Sequence, residues 1–212
     1  MKNVILSALL VLSFTFTANA SEKSGCTLAQ SGQIEVNWTG YKTPKKVGVG
    51  GAFDKVTYAP VATSGSDFRS ILVGSSVVID ASSVNSKHED RDAKLAQFFF
   101  GLMSDKNINA KILDIKADKR VKNTPRTGTL SVLIEMNGVK RATPMTYTFS
   151  DGIFEAKGSI DLLDFSASKA LAGINEACFD LHEGKTWSDV GIGFKTKIEA
   201  TLCKVKAINQ DK

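Results

Sequence analysis

Val190–Leu202, VGIGFKTKIEATL, is the stretch that decides the fold. Val190, Ile192, Phe194, Thr196, Ile198, Ala200 and Leu202 share one parity, while glycine, lysine, glutamate and threonine fill the other. Successive side chains of a strand point to opposite faces, so this alternation specifies a β-strand with one apolar and one solvated face. A sheet in which every strand carries one apolar face must bury that face against something, and the rest of the chain shows how.

The same period of two recurs upstream, at Ile34, Val36 and Trp38, at Val47, Val49, Gly51 and Phe53, and at Ile71, Val73, Val77 and Ile79. It returns at Ile108, Ala110 and Ile112, at Leu130, Val132, Ile134 and Met136, and at Met145, Tyr147 and Phe149, and residues 153–162 are strand-like as well. Asn137-Gly138 and Asp151-Gly152 mark tight hairpins, because both positions of such a turn need positive φ. Helical patterns interrupt the strands at 86–103 and near 167–180. Consecutive hairpin-joined strands with one apolar face each predict an all-β fold: an up-and-down antiparallel β-barrel of about eight strands with one or two short helical insertions. A sandwich is the competing architecture. A barrel of this size either fills its interior with side chains or encloses one small ligand, and alternation alone does not separate the two.

The first insertion, His88–Met103 (HEDRDAKLAQFFFGLM), has an unusual demand. Ser86 and Glu89 have capping-box spacing, and Leu95, Phe98, Phe99 and Leu102 fall at i, i+3, i+4 and i+7, one helical face. Phe98, Phe99 and Phe100 together sweep about 200° of circumference at roughly 100° per residue, more than one narrow seam accepts. The helix therefore needs a wide apolar surface, which inside a β-rich exported chain points toward a lipid. The expectation is that Leu95, Phe98, Phe99 and Leu102 meet the interior while Phe100 packs elsewhere.

Export is expected from the first twenty residues. Lys2, the apolar run Val4–Phe16 and Ala18-Asn19-Ala20 have the layout of a cleavable signal peptide, and the run is shorter than the ~20 residues of a membrane span. Cys26 lies too far beyond the run for a lipoprotein signal. The remaining residues, 21–212, suit one domain, expected in a bacterial periplasm. The formal charge of +5 is spread among alternating lysines and acids, which argues against a nucleic-acid partner and leaves a weak attraction to anionic lipid headgroups. Three cysteines in an oxidising compartment allow one disulfide. Cys26 near the start of the first strand and Cys203 near the end of the last would meet if those strands close a barrel, so Cys26–Cys203 is favoured, with Cys178 an alternative partner.

Catalytic signals are weak. His88 lies beside three acids, but acids at a helix N-terminus complement its dipole, and Asp90 to Lys94 is an ordinary i,i+4 pair. His182 is expected in an exposed loop. Gly48-Val49-Gly50-Gly51 lacks the lysine and following helix of a phosphate loop, and its glycines suit a bend or a close approach. No G-x-S-x-G elbow is present.

The order of landmarks resembles the YceI-like family of polyisoprenoid-binding proteins. The residues that carry the likeness are Gln33–Trp38, Gly51-Ala52-Phe53, Val78–Val84, Arg91-Asp92 with Leu95 and Phe98-Phe99-Phe100, Gly128-Thr129-Leu130, Asn137-Gly138-Val139, Asp164-Phe165 and Trp187–Val190. They span about 33–202, and their order is more specific than any one of them. The resemblance implies a lipocalin-like barrel that holds a polyisoprenoid, a quinone, a fatty acid or a similar amphiphilic lipid without catalysis and without a further cofactor. The ligand wall it implies comprises Trp38, Phe53, Ile79, Leu95, Phe98, Phe99, Leu102, Ile134, Tyr147, Phe149, Phe165 and Phe194, with Arg91 steadying a headgroup or pairing with Asp92 or a strand acid. Transient inner-membrane contact and a homodimer are further expectations. Lys140–Pro144 and the helix near 167–180 depart from the family pattern, and the cysteines are no part of it. The rival readings are a filled barrel acting as a periplasmic stress or interaction protein, and an enzyme built on His88 or His182.

Overall fold

The computed structural model describes residues 27–201; the expected leader at 1–20 and the favoured Cys26–Cys203 disulfide fall outside them. The chain runs through β1 (Thr27–Gln30), β2 (Glu35–Lys42), β3 (Val47–Phe53), β4 (Val56–Ala59), β5 (Ser64–Gly65), α1 (Phe68–Leu72), β6 (Ser76–Asp80) and β7 (Val84–Asn85). It continues through α2 (Glu89–Phe98), β8 (Asn107–Ala117), β9 (Arg126–Met136), β10 (Val139–Ser150), β11 (Ile153–Asp161), α3 (Ser168–Ala177) and β12 (Asp189–Thr201).

Every strand pairing is antiparallel, and the ladder returns on itself. β12 pairs with β2, β2 with β3, β6 with β8, and β8 through β12 follow in chain order. β3 and β4 form one bent strand opposite β7 and β6, another bent strand. Asp54 N–H donating to Ser83 O (2.9 Å) and Asp80 N–H donating to Lys55 O (3.1 Å) carry the ladder across both bends. Counting each bent strand once gives the expected eight-membered up-and-down barrel. β1 and β5 are outside this ring, laid along the end of β12. Both expected hairpins are present: Asn137 and Gly138 have φ of 52° and 75°, Asp151 and Gly152 φ of 52° and 78°.

Three local expectations are corrected. Ile71 and Val73 alternate like a strand, but Phe68–Leu72 is a helix, because Asp67 caps it: its carboxylate accepts Ser70 N–H (2.7 Å) and Ser70 Oγ accepts Asp67 N–H (3.2 Å). Ser86 and Glu89 form no capping box. His88 is the N-cap of α2, its Nδ1 accepting Arg91 N–H, while Ser86 is engaged by Arg91 and Asp92. Finally, 88–103 is not one helix. α2 stops at Phe98, Phe99 turns the chain, and Phe100–Leu102 is a tighter 3-10 turn.

The two ends of the barrel are closed differently. At the end holding the β10–β11 turn, α1 inserts Phe68 among Tyr147, Phe149 and Phe154, with ring centroids 5.8, 4.9 and 5.2 Å away. Tyr147 and Phe154 stack at 4.8 Å, and Phe154 and Ile198 have no solvent exposure. Thr196, on the inward parity of β12, is buried here with its hydroxyl satisfied by Gln30 and the Gly32 carbonyl. This half is a packed core. At the other end α2 and α3 lie across the barrel, in close contact at Gly173.

Candidate ligand cavity

Beneath α2 and α3 the barrel encloses a cavity of about 250 Å³. Its wall continues the inward parities of the strands. Val36 and Trp38 of β2 stand opposite Phe194 and Ile192 of β12, and all four line it. Ala110 and Ile112 of β8 stand opposite Ile134 and Val132 of β9 and line it from the far side. Gly51 explains how Trp38 fits: a Cβ there would lie 2.6 Å from the indole and 2.7 Å from Asn85 O. The indole N–H donates to Ala52 O at 3.3 Å. The glycine-rich strand thus permits a close approach by a side chain of its own neighbour.

The break after Phe98 sets which phenylalanines face inward. Phe99 and Phe100 border the cavity, their rings 4.9 Å apart edge to face, and Phe100 meets Phe53 at 5.9 Å. Phe98 and Leu102 instead meet α3, where the Phe98 carbonyl and Leu102 Cδ1 crowd Gly173. The expected face is therefore redrawn, with Phe100 turned in and Phe98 and Leu102 turned away. The cause is mechanical: the chain leaves the 100° helical step at Phe99.

Of the expected wall residues, Trp38, Phe53, Ile79, Arg91, Leu95, Phe99, Ile134 and Phe194 border the cavity. Tyr147 and Phe149 belong to the packed half, and Phe165 is buried at the end of a 3-10 turn whose carbonyl accepts from Asn137 Nδ2 (2.9 Å). Sequence reasoning missed Leu171, Ile174 and Cys178, which line the cavity from α3 and its end. Their i, i+3, i+7 spacing was the available signal. Tyr41, Tyr58, Lys42, Lys94, Thr186 and Trp187 were also missed. For Thr186 and Trp187 the reason is that a strand pattern says nothing about the segment that folds back over its open end.

Polar groups of the wall come from α2, from the segment before β12 and from the strands. Arg91 Nε donates to Ser86 Oγ (2.7 Å) and Nη2 to Ser86 O (3.1 Å), and Ser86 Oγ in turn donates to Asp92. The expected Arg91–Asp92 pairing is thus relayed through a serine. Lys94 makes no ion pair with Asp90 and borders the cavity. His182 is a half-buried wall residue and no free loop side chain: its Nδ1 lies 2.7 Å from Thr186 Oγ1. Burial pushes its pKa below the ordinary imidazole value, and the neighbouring Lys42 and Lys94 charges push it further. Among the described residues no cluster of three His, Cys, Asp or Glu side chains is placed to hold a metal ion. A second cleft of about 390 Å³ lies by Tyr147 and the 118–127 loop, but its wall is rich in charged side chains, so the apolar cavity is the candidate site on chemistry, not on volume.

Comparison with known proteins gives a consistent picture. A family model described as YceI-like domain matches residues 28–202. A solved polyisoprenoid binding domain from Saccharophagus degradans, implicated in plant cell wall breakdown, superimposes with a TM-score of 0.53 at 16% identity, covering 84% of this chain and 99% of that one. BcnA of Burkholderia cenocepacia superimposes with a TM-score of 0.52 at 13% identity, covering 78% and 96%. At these identities the likeness is one of fold. Comparison with curated proteins gives no match.

Proposed function

Because this chain belongs to the YceI-like domain family, we propose that it is a non-catalytic binding protein that takes the apolar chain of an isoprenoid or similar amphiphilic lipid into its barrel. One observation carries the reading. Half of the barrel interior is packed with aromatics, while the other half, of the same alternating strands, is an apolar-walled cavity under two helices. A barrel serving only as a scaffold gains nothing from leaving half its interior open, since each missing contact forfeits dispersion and burial energy. Polyisoprenoid binding by the Saccharophagus degradans domain supports the same reading.

The mechanism is partition. Burial of each carbon contributes about 0.8 kcal/mol, so a five-carbon isoprene unit contributes roughly 4 kcal/mol gross. A few units offset the ~4–15 kcal/mol cost of association. His182, held 2.7 Å from Thr186 Oγ1 on the cavity wall, supports orientation of a ligand. Phe179 and Leu181, more than half exposed beside the wall residues Cys178 and His182, suit a brief contact with a bilayer from which cargo enters. The leader-like first twenty residues place the protein, in this reading, in the periplasm.

The test is a blocked cavity. Ala110→Trp puts an indole into the cavity from β8, and farnesol uptake is followed in wild type and variant by isothermal titration. We expect saturable binding by wild type and at least a tenfold loss in the variant, with circular dichroism unchanged. Equal uptake by both proteins would place the ligand elsewhere and overturn the reading.

A further inference from the structure

The wall of the apolar cavity carries charge of one sign only. Lys42 at the end of β2 and Arg91 and Lys94 one turn apart on α2 border it beside His182, and no carboxylate does. Lys42, Arg91 and Lys94 make no ion pair with any carboxylate among the described residues. Lys42 and Lys94 are close enough to His182 to disfavour its protonation, so β2 and α2 bring Lys42, Arg91 and Lys94 to one rim. Arg91 is held by two hydrogen bonds to Ser86, which leaves its Nη1 without a partner among the described residues. Like charges gathered at a half-buried rim repel one another, and Asp92 reaches Arg91 only through the Ser86 hydroxyl. An apolar chamber capped by unpaired, oriented cations is complementary to an anion with an apolar tail.

We propose that the ligand is an acidic amphiphile whose tail fills the cavity and whose carboxylate or phosphate group sits between Lys42, Arg91 and Lys94. This rests on the lipid-binding reading above and narrows it: neutral lipids such as quinones and prenols share the tail site but lack the group that the collar recognises. Arg91 contributes a pre-set donor and the two lysines contribute mobile charge.

The test compares matched ligands. Affinities of the mature protein are measured by titration for palmitate against methyl palmitate, and for farnesyl phosphate against farnesol, with tryptophan emission as readout, since Trp38 and Trp187 both border the cavity. At least one acid should bind tenfold or more tightly than its neutral partner; which one does identifies the headgroup as carboxylate or phosphate. The Lys42→Gln/Lys94→Gln variant should bring that acid's affinity down towards the neutral ligand's, the acid losing at least fivefold more than its neutral partner does. Tails that bind equally well with and without the acid overturn this proposal and leave the lipid-binding reading standing. Failure of all four ligands to bind overturns both. The wild-type comparison decides the matter even where the double variant does not fold.

Discussion

Gly51 shows how far a single position reaches. Its missing side chain is the space in which the Trp38 indole lies, and that indole forms part of the cavity wall. Gly51→Ala should therefore cost about 1–3 kcal/mol, the usual range for overpacking, and push Trp38 off the strand. Denaturant melts should show the loss, and tryptophan emission should shift at the same time; unchanged stability and emission would mean that the indole does not depend on this glycine. Trp38 and Phe53 were legible in the sequence as wall residues because strand parity assigns them a side. Lys94 and His182 were not. Helical spacing offered Lys94 an exposed partner in Asp90, and loop chemistry offered His182 solvent, and neither rule contains the neighbouring element that draws the side chain inward. Ser86 shows the same limit: its spacing suited a cap, but Arg91 and Asp92 occupy its hydroxyl.

At the scale of elements, the pair α2 and α3 forms the roof of the cavity, and Gly173 is its closest contact. A helix-interior glycine is about 1 kcal/mol worse than alanine on propensity alone, which would make Gly173→Ala stabilising. The added Cβ would lie 2.6 Å from the Phe98 carbonyl and 2.4 Å from Leu102 Cδ1, and a backbone oxygen does not move aside cheaply. The overlap should win, giving a net loss of about 1–2 kcal/mol and faster exchange of bound ligand in stopped-flow displacement. A raised melting temperature would show that propensity outweighs the contact. The sequence supported both helices and the need of 98–100 for a wide apolar surface. It did not reveal the break at Phe99, because three consecutive phenylalanines satisfy a continuous helix and a broken one equally, and only the opposing surface, Phe53 on one side and Gly173 on the other, distinguishes them. α1 was hidden for the opposite reason: five residues hold too little periodicity to outweigh Ile71 and Val73, and its sign was the Asp67–Ser70 cap.

Over the whole molecule the barrel is one structure with two interiors. β12 passes through both: Val190, Ile192 and Phe194 face the cavity, while Thr196 and Ile198 are buried in the packed half. Their alternation is identical, so no reading of period could tell which part would stay open. What differs is the opposing group. Phe68, delivered by α1, fills one half, and the roof helices cover the other without entering it. We propose that the open half holds a lipid tail. The decisive experiment is native mass spectrometry of the purified protein, followed by organic extraction and analysis of the extract. The expected result is a population heavier than the bare chain by a discrete lipid mass, lost on extraction and recovered as a long-chain acidic amphiphile. A single bare-chain mass, with no uptake on incubation with prenyl phosphate, quinone or fatty acid, would contradict it.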